Sequence, residues 1–595
     1  MIDDNFLKEY EDILHKIERP SRYIGDEFGS FNKDFTQTQG KFLLVFPDKY
    51  EIGISNFGHK ILYNIINKNE NYLCDRLYAP DKDFIDLLKK ENKSIYALET
   101  KRKPIEFDII GFGLQYEMCF TTVLKLLELS NIPIYSKDRT DDCPIVMAGG
   151  PSCTNPKPMN DFIDIFVIGD GEEVNIEILE KYLELKGKTS RKEIIKELSK
   201  IDGVYAPQEN NSTTKRIANL TLENHPTLSP IPHFSSIQDR ATVEIRRGCA
   251  RLCRFCQAGH TNLPVRERKS EDIISLVKEY TKNTGYDEYS LLSLSSNDHG
   301  KIEEILSELS CHFKGSGISV SLPSQRADKF SLNLANLASS ERKGTITIAP
   351  EAGSQRMRDV INKNLSQEQI INATISCIKN GWNKIKYYFV IGLPFEEYDD
   401  LKGIIELFEE INLNCRKEGL KYPQITCSIA VFVPKPHTPF QWARQNSIEE
   451  VQEKIKYLRD LKDERKLKNI KLNFHNPKMS QLEAFYSRGD ENLGKFIYEL
   501  YSNGAYLEAW DENLDLNLYQ KIAQKLNINI EKEATREFSL EGTLPWENIN
   551  FGVNKSWLIE EYKKASNAIA TVPCEVKCNN CGVCTNLKTK KVLDK

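Results

Sequence analysis

Short apolar runs alternate with stretches of helical periodicity through the first two thirds of the chain. The first series of runs consists of residues 41–46, 107–112, 145–148 and 163–168. Strands that alternate with helices predict a parallel sheet with helices on both faces. Each run ends in glycine or a small-residue turn, as expected at the carboxyl edge where such sheets bind ligands. The sequence therefore predicts a doubly wound, Rossmann-like α/β domain over residues 36–204, after a helical lead-in over residues 1–35.

A second series of apolar runs begins near residue 241. Its six members are residues 241–245, 289–294, 318–322, 345–348, 386–391 and 424–429. Six strands with intervening helices predict a partial (β/α)6 barrel over residues 236–445. The polar, proline-rich residues 205–235 predict a linker, and the charged residues 446–595 predict a mainly helical C-terminal region. The predicted fold class is therefore α/β.

The composition is that of an ordinary globular protein. Of the 595 residues, 40% are apolar and 28% are charged, which excludes disorder, collagen and coiled coil as overall classes. No run approaches the roughly 18 apolar residues of a membrane span, and the acidic N-terminus lacks the basic patch of a signal peptide. We therefore expect a cytoplasmic protein without a membrane partner.

A net charge of −5 gives no general signature of nucleic-acid binding, but residues 453–478 have a local excess of lysine and arginine. This excess is either a solvated helix face or a contact for RNA phosphates.

Fifteen cysteines are unlikely to form disulfides in a compartment that keeps thiols reduced. Seven of them form two tight groups: Cys249, Cys253 and Cys256, and then Cys574, Cys578, Cys581 and Cys584. The other eight are predicted to be small buried apolar residues: Cys74, Cys119, Cys143, Cys153, Cys311, Cys377, Cys415 and Cys427. The two groups predict metal sites.

The first group has the spacing C-x3-C-x2-C and follows a predicted strand, so its thiolates lie on a loop at the edge of the barrel. Three thiolates can hold three irons of a [4Fe–4S] cluster, which leaves the fourth iron without a protein ligand. An open coordination position can bind a substrate or cofactor. A zinc site with His260 as the fourth ligand is the alternative.

The spacing of this loop resembles that of the radical S-adenosylmethionine (radical SAM) superfamily. Four segments downstream, each at the end of a predicted strand or after one, are similar to the family's cofactor-binding segments: residues 294–298, 349–356, 389–394 and 433–439. The resemblance implies a [4Fe–4S] cluster and S-adenosyl-L-methionine as cofactors, with Cys249, Cys253 and Cys256 as catalytic cluster ligands. Reductive cleavage of the sulfonium would give a 5′-deoxyadenosyl radical.

The resemblance also assigns cofactor contacts. Phe255 would lie beside the adenine, and Ser295, Ser296 and Asn297 would contact the methionine amine. Glu351 and Arg356 would contact carboxylate or ribose, or pair with one another. Gly392 and Pro394 would shape the backbone at the adenine. Four arginines near the loop would offset cluster charge, contact an anionic substrate or form a solvated rim: Arg246, Arg247, Arg251 and Arg254.

The N-terminal series resembles the cobalamin-binding domain that precedes some radical SAM barrels. The residues that carry this resemblance are Gly149, Gly150 and Pro151 after one strand and Gly169, Gly171 and Glu172 after the next. Glycine at these positions would allow a planar macrocycle to approach the backbone. Tyr50 stands where mutases place a cobalt-ligating histidine, and His59 is a candidate ligand. Tyr116 and Glu117 are second-tier site residues, and Glu117 and Cys119 would face the corrin or the substrate. The alternative is a degenerate domain that serves only as a scaffold.

The second cysteine group packs four thiols into eleven positions. Zinc sites built from two C-x2-C pairs usually have a dozen or more residues between the pairs, whereas iron–sulfur runs tolerate closer spacing. The sequence therefore leaves a second [4Fe–4S] cluster and a zinc ion as alternatives at Cys574, Cys578, Cys581 and Cys584.

Three hypotheses for the function follow. The first is a cobalamin-dependent radical SAM methyltransferase that acts on an unactivated carbon. The second is a radical SAM enzyme that modifies tRNA or rRNA, with sulfur insertion as one form, and whose N-terminal domain binds no cobalamin. The third is an iron–sulfur electron-transfer or cluster-assembly protein. The expected partners are a substrate, either a small molecule or RNA, and a low-potential electron donor such as flavodoxin or ferredoxin.

Overall fold

The computed structural model describes residues 4–323, 326–329, 334, 337 and 346–594. It divides the chain into two compact units. Unit 1 comprises Met1–Asp239, Gly489–Asn529 and Pro545–Asn550, and unit 2 comprises Arg240–Arg488, Ile530–Leu544 and Phe551–Lys595. This division differs from the predicted boundaries, because the sequence after residue 488 returns to both units instead of forming one separate region.

Unit 1 contains a six-stranded sheet with the order β2-β1-β3-β4-β5-β6. The strands are β1 (Gly40–Phe46), β2 (Tyr72–Tyr78), β3 (Ile109–Gly113), β4 (Ile145–Gly149), β5 (Ile165–Val167) and β6 (Val204–Tyr205). The first five are parallel, and β6 pairs antiparallel with β5. The order reverses between β1 and β3, and a reversal of this kind marks the place where doubly wound sheets bind ligands. The predicted doubly wound α/β fold is confirmed.

Strand β2 was not predicted, because two charged residues interrupt its apolar pattern. Asp75 is buried and accepts hydrogen bonds from the backbone N–H groups of Glu99 and Thr100, both at 2.8 Å. Arg76 is also buried and pairs with Glu27 at 2.8 Å and with Glu99. These partners compensate for the burial of two charges inside a sheet.

Helices cover the unit 1 sheet, which is buried on both faces. Its α-helices are Asp4–Leu14, Tyr50–Gly53, Phe57–Lys68, Lys82–Lys90, Phe120–Leu129, Val174–Leu185, Arg191–Leu198, Leu493–Ser502 and Leu516–Lys525. The predicted linker, residues 205–235, belongs to this unit. Its strand β7 (Thr213–Thr214) pairs with Ile549–Asn550, and Phe28 forms an isolated bridge with Ile231.

The described residues of unit 2 form two parallel sheets. The first has the order β12-β11-β8 and the second β13-β14-β15-β16. The strands are β8 (Ala241–Glu244), β9 (Arg246–Arg247), β10 (Arg266–Glu267), β11 (Glu288–Leu292), β12 (Ser319–Ser321), β13 (Ile346–Glu351), β14 (Lys384–Ile391), β15 (Gln424–Val431) and β16 (Ile470–Phe474). β9 and β10 form a short antiparallel ribbon. All six predicted strands are present, although Thr345, the first residue of the fourth, lies outside the described residues.

Strand β16 extends the second sheet beyond the predicted barrel limit at residue 445. It pairs parallel with β15, with Ile425 opposite Ile470. The α-helices of unit 2 are Gln257–Thr261, Ser270–Thr284, Ile302–His312, Gln355–Val360, Gln367–Lys379, Tyr398–Lys417, Ile448–Glu464, Pro477–Ser487, Ile530–Thr535, Lys555–Ser566 and Val583–Asn586. No helix among the described residues of either unit is long and apolar enough to cross a membrane.

Candidate active site

The three-cysteine loop, residues 248–256, follows β8 and the short strand β9 and is called the cluster loop below. Leu252 has a left-handed backbone conformation, with φ of 58°. A non-glycine residue in that region is strained, and such strain is concentrated at functional sites. Cys256 precedes the helix Gln257–Thr261 and accepts a hydrogen bond from the backbone N–H of Gly259, with N to Sγ at 3.3 Å.

The three thiols of the cluster loop lie near one another. Burial raises the pKa of Cys256 to about 12, and the neighbouring Cys253 and Cys249 add to the rise. Burial and Cys253 also raise the pKa of Cys249. Iron binding would replace these protons, since thiolates are the ligands of a cluster. No three His, Cys, Asp or Glu side chains within the described ranges are already arranged around a common metal position. Three thiols on one loop, with an N–H donor to sulfur, fit the predicted [4Fe–4S] cluster.

Buried ion pairs hold the cluster loop. Arg251 pairs with Asp298, and Arg254 pairs with Glu561, with both side chains of the second pair fully buried. Burial alone would raise the pKa of Asp298, but the hydrogen bonds and charge of Arg251 outweigh it and lower the pKa. These arginines are engaged with carboxylates and do not form a solvated rim.

Arg246 and Arg247, on the preceding strand, are also paired. Arg246 donates to Glu267 at 2.9 Å and pairs with Glu575, and Arg247 donates to Glu244 at 2.9 Å. Sequence reasoning located all four arginines but none of their partners.

The segment after β11 is held by its own side chains. Ser295 Oγ donates to Asp298 at 2.6 Å, and Ser296 Oγ lies 2.7 Å from the carbonyl oxygen of Pro323. Asn297 donates to the carbonyl of Arg326 at 2.8 Å and accepts from its N–H at 3.0 Å. Ser295, Ser296 and Asn297, which were predicted to contact the methionine amine, therefore also fix the position of the neighbouring backbone.

Glu351 and Arg356 do not pair with one another. Glu351 pairs with Lys363 at 3.2 Å, whereas Arg356 pairs with Asp400 and donates to the carbonyl of Phe395 at 2.9 Å. Each of the two predicted cofactor contacts thus already has a partner of opposite charge.

Gly392, followed by Leu393 and Pro394, has φ of 76° and donates its N–H to Glu396 at 2.8 Å. Glycine is favoured in this left-handed turn. Gly392 and Pro394 thus lie in the turn that ends β14.

The predicted cofactor segments meet in one apolar cluster. Leu393 and Phe432 belong to it together with Ala352, and Phe255 is packed against it. These residues come from the cluster loop and from the segments that follow β13, β14 and β15. The structure therefore brings together three of the segments that the sequence identified separately, and the residue that precedes a fourth.

The glycine turns of unit 1 have structural reasons for being glycine. A Cβ on Gly150, where φ is 112°, would lie 2.6 Å from the carbonyl oxygen of Leu114. A Cβ on Gly169 would lie 2.3 Å from the carbonyl oxygen of Arg216. Pro151 begins a short 3-10 helix. These two glycines permit a close approach of the protein's own backbone.

The remaining residues of the predicted cobalamin site lie at the end of β4, after β5, in the turn after β3 and at the start of the helix Tyr50–Gly53. Gly171 is followed by Glu172, which is buried, and the nearest atom to a Cβ on Gly149 would be 3.7 Å away. Glu117 and Cys119 are buried in a single 3-10 turn after β3. Tyr50 is also buried and donates a hydrogen bond to Glu27 at 2.9 Å.

His59 lies at the point where the strand order reverses. Its Nε2 occupies the space that a side chain on Gly113 would fill, since a Cβ there would be 2.0 Å away. Burial lowers the pKa of His59 to about 3, so the ring is neutral. The nitrogen faces the end of β3 and leaves no room for a metal between them.

Residues 506–510 cover the same edge of the unit 1 sheet. Trp510 Nε1 donates to Asp48 after β1 at 2.8 Å, and Thr121 after β3 donates to Glu508 at 2.6 Å. The Tyr506 hydroxyl donates to the carbonyl of Pro80 after β2 at 2.5 Å. The residues present at this edge bond to one another and do not fit a corrin ring placed over β1 and β3.

The four tail cysteines, Cys574, Cys578, Cys581 and Cys584, lie in unit 2. Cys578 and Cys584 are exposed, and the N–H of Cys574 donates to the carbonyl of Ala250 in the cluster loop at 2.9 Å. Of the eight scattered cysteines, seven are buried as predicted. Cys311 is exposed, because it lies on the outer face of the helix Ile302–His312.

Fold and site define an α/β enzyme with an open three-cysteine loop at the carboxyl ends of parallel strands. A family model described as "Radical SAM superfamily" matches residues 243–408, and one described as "Radical SAM proteins, N-terminal" matches residues 58–207. Together they cover more than half of the chain. The chain belongs to the radical SAM superfamily, as the sequence predicted.

Several relatives resemble the chain over different lengths. An uncharacterised protein of Methanocaldococcus jannaschii is 29% identical over 76% of this chain and 90% of its own length. A tRNA-2-methylthio-N(6)-dimethylallyladenosine synthase of Petrotoga mobilis is 25% identical over 33% of this chain and 48% of its own. A ribosomal protein uS12 methylthiotransferase of a Thermoanaerobacter species is 24% identical over 47% of this chain and 69% of its own. The chain thus spans about half the length of the tRNA-modifying relative.

Among solved structures, a cobalamin-dependent S-adenosylmethionine radical enzyme, OxsB, is 17% identical with a TM-score of 0.45. The match covers 62% of this chain and 51% of that one.

Proposed function

We propose that this radical SAM enzyme modifies an unactivated carbon of an RNA substrate, and that the transferred group contains sulfur. The observation that carries the proposal is a basic groove on unit 2 at the carboxyl end of β16. Carboxyl ends of parallel strands lie at one edge of a sheet, and the cluster loop follows a strand of the same unit. The methylthiotransferase names of several relatives support the sulfur-containing group.

The groove has a volume of about 460 Å³. Lys456, Arg459 and His475 are exposed in its lining, which also contains one acidic residue, Asp460. The Arg459 guanidinium lies over the Phe474 ring at 5.2 Å. Basic side chains with an aromatic face are the usual means of holding single-stranded nucleic acid. Of the two interpretations of residues 453–478, this arrangement favours the RNA contact.

The residues of the cluster loop would hold and orient the cofactors. Cys249, Cys253 and Cys256 would ligate a [4Fe–4S] cluster, which when bound supplies the electron that cleaves S-adenosylmethionine to methionine and a 5′-deoxyadenosyl radical. Arg251 and Arg254 fix the loop through their buried carboxylate partners. Phe255 and its apolar neighbours form a dry wall, which keeps water away from a reactive radical.

Cobalamin-dependent methyl transfer, the first hypothesis from the sequence, is the second candidate. It is supported by the strand order of unit 1, which reverses at a ligand-binding position. Residues 506–510 cover that position and His59 faces Gly113, so we derive no step through cobalamin. The content of cobalt separates the two candidates.

The test is anaerobic production with iron, sulfide and cobalamin supplied, followed by metal analysis and a 5′-deoxyadenosine assay with dithionite. We expect cluster iron, cobalt well below one per chain, and deoxyadenosine. Cys253→Ala should abolish its formation, whereas Cys311→Ser, an exposed cysteine outside both groups, should not. Stoichiometric cobalt would favour methyl transfer, and cleavage by the Cys253→Ala variant would contradict the cluster assignment.

A further inference from the structure

The segment that carries the tail cysteines is anchored to the cluster loop. The N–H of Cys574 donates to the carbonyl of Ala250 at 2.9 Å, one residue after Cys249. The next residue, Glu575, pairs with Arg246, whose side chain is fully buried. A ligand of one cysteine group therefore lies one hydrogen bond from the backbone of the other.

A second anchor runs through Asn362. Its side-chain nitrogen donates to the carbonyls of Arg251 and Leu252 at 3.2 and 3.1 Å, and its side-chain oxygen accepts from the N–H of Thr571 at 2.7 Å. Asn362 is fully buried, so this bridge fixes the position of the tail relative to the cluster loop.

The two cysteine groups differ in the number of thiols, and this number decides whether a cluster has an open iron. Three cysteines leave one iron of a [4Fe–4S] cluster open for a substrate, whereas four complete its ligation. A site without an open position does not activate a substrate, but it can carry an electron. The cysteines of the tail have the spacing C-x3-C-x2-C-x2-C. This spacing is closer than that of zinc sites built from two separated C-x2-C pairs, and it is typical of iron–sulfur ligands.

The tail thiols differ in exposure, and Cys581 is half-buried like Cys574. Cys574, beside the cluster loop, is half-buried, whereas Cys578 and Cys584 are exposed. A centre held by these residues would face the cluster loop on one side and the solvent on the other.

The surface around the tail cysteines carries apolar and basic side chains. Val576 is 76% exposed, and Ile569, Val572 and Val592 are also large exposed apolar residues. Four exposed lysines accompany them: Lys577, Lys588, Lys590 and Lys591. The two acidic residues of this stretch, Glu575 and Asp594, are already paired with Arg246 and Lys301. An apolar centre with a basic rim suits a small acidic partner.

We propose that the tail cysteines hold a second, fully ligated [4Fe–4S] cluster that accepts an electron from a small acidic one-electron carrier and passes it to the cluster loop. The carrier loses one electron for each S-adenosylmethionine cleaved. That electron is consumed when the sulfur–carbon bond breaks to give methionine and the deoxyadenosyl radical. The proposal rests on the proposed radical chemistry, and its tests separate the two.

The first test is the metal content of the full-length protein after anaerobic reconstitution. We expect about eight irons per chain, and about four in a Cys578→Ser/Cys584→Ser variant. Cys311→Ser is the matched control, because it removes another exposed thiol of unit 2 and should keep all eight. About four irons with one zinc in the wild type, or unchanged iron in the double variant, would overturn the proposal.

The second test compares two reductants. Dithionite is small enough to reduce the first cluster directly, whereas a reduced flavodoxin, the acidic carrier used here, must dock. In the Cys578→Ser/Cys584→Ser variant, we expect the rate of deoxyadenosine formation with flavodoxin to fall at least about tenfold. The rate with dithionite should change less than about twofold. Equal losses with both reductants, or none with flavodoxin, would overturn the relay. No cleavage by the wild type with dithionite would instead contradict the proposed radical chemistry.

The third test addresses docking and leaves the cysteines intact. Lys588→Glu/Lys590→Glu should raise the KM for flavodoxin about tenfold and make the KM less dependent on salt, with iron content unchanged. Lys417→Glu/Lys421→Glu changes the same charge at exposed positions of unit 2 far along the sequence from the tail. An equal effect of the two variants would contradict a docking surface at the tail.

Discussion

Arg254 and Glu561 form an ion pair in which neither side chain has any exposed surface. Arg254 Nε and Nη2 both donate to Glu561 Oε2, at 3.1 and 2.9 Å. The pair ties the cluster loop to the helix Lys555–Ser566, which lies more than 300 residues later in the chain. Removal of one partner from a buried pair leaves an uncompensated charge, which costs far more than the pair contributes.

We therefore predict that Glu561→Gln lowers the free energy of unfolding of unit 2 by about 3–5 kcal/mol. The measurement is the urea midpoint of the purified chain, followed by circular dichroism. Glu560→Gln, an exposed neighbour on the same helix, should change stability by less than about 0.5 kcal/mol. Equal midpoints for the two variants would show that the pair does not hold the loop.

The same pair predicts a dependence on pH. Burial would raise the pKa of Glu561, but Arg254 and the hydrogen bonds to the carboxylate outweigh it and lower the pKa. A carboxyl with a lowered pKa stabilises the fold above its unfolded-state pKa, and this contribution disappears as the pH falls through the folded-state value. The difference in the free energy of unfolding between wild type and Glu561→Gln should therefore become smaller at acid pH. Urea titrations of both proteins at pH 7 and at successively lower pH measure this difference.

The sequence predicted the regular parts of the fold and the location of the cluster loop. Apolar runs revealed the strands whose charged residues lie near their ends. Asp75 and Arg76 lie in the middle of β2 and concealed it, because their partners are contributed by other segments. The partners of Glu351 and Arg356 could not be predicted for the same reason. Each had several acidic or basic residues within reach along the chain, and only packing selects Lys363 and Asp400.

The two neighbouring glycines after β4 should respond differently to alanine. Gly150 has φ of 112° and its Cβ would lie 2.6 Å from a backbone oxygen, whereas a Cβ on Gly149 would meet no atom closer than 3.7 Å. We predict that Gly150→Ala destabilises unit 1 by at least about 1–3 kcal/mol, from strain and the collision. Gly149→Ala should cost about 1 kcal/mol or less. Comparable stability of the two variants in thermal unfolding would contradict the structural role of Gly150.

Glu508 predicts a loss of stability in the neutral range. Burial raises its pKa to about 7, against hydrogen bonds from Thr121 and Tyr519. The unfolded chain ionises near pH 4.3, so the contribution of the protonated group is complete below that pH and is lost as the pH rises towards 7. The free energy of unfolding of Glu508→Gln, relative to that of wild type, should therefore rise by about 3 kcal/mol between pH 4.5 and pH 8.

The measurement is the urea midpoint of both proteins across this range. Glu512→Gln, at an exposed position of the same segment, is the control and should show no such trend. A difference between Glu508→Gln and wild type that stays constant with pH would show that Glu508 is ionised in the folded protein.

The basic groove predicts the substrate class. Lys456→Glu/Arg459→Glu reverses two charges that face the groove, so we expect at least about tenfold weaker binding of tRNA and a smaller dependence of binding on salt. Phe474→Ala should weaken binding by about 1–3 kcal/mol without a change in the salt dependence, because it removes the ring that supports the Arg459 guanidinium and no charge. Fluorescence anisotropy with labelled tRNA at several salt concentrations measures both effects.

Lys417→Glu/Lys421→Glu is the matched control, because it reverses two exposed charges of unit 2 outside the groove. Deoxyadenosine formation with dithionite and no RNA should be the same in all of these variants, since none alters the cluster loop. Weakening of equal size in the groove and control variants would mean that RNA binds through general charge, which would remove the main support for RNA as the substrate.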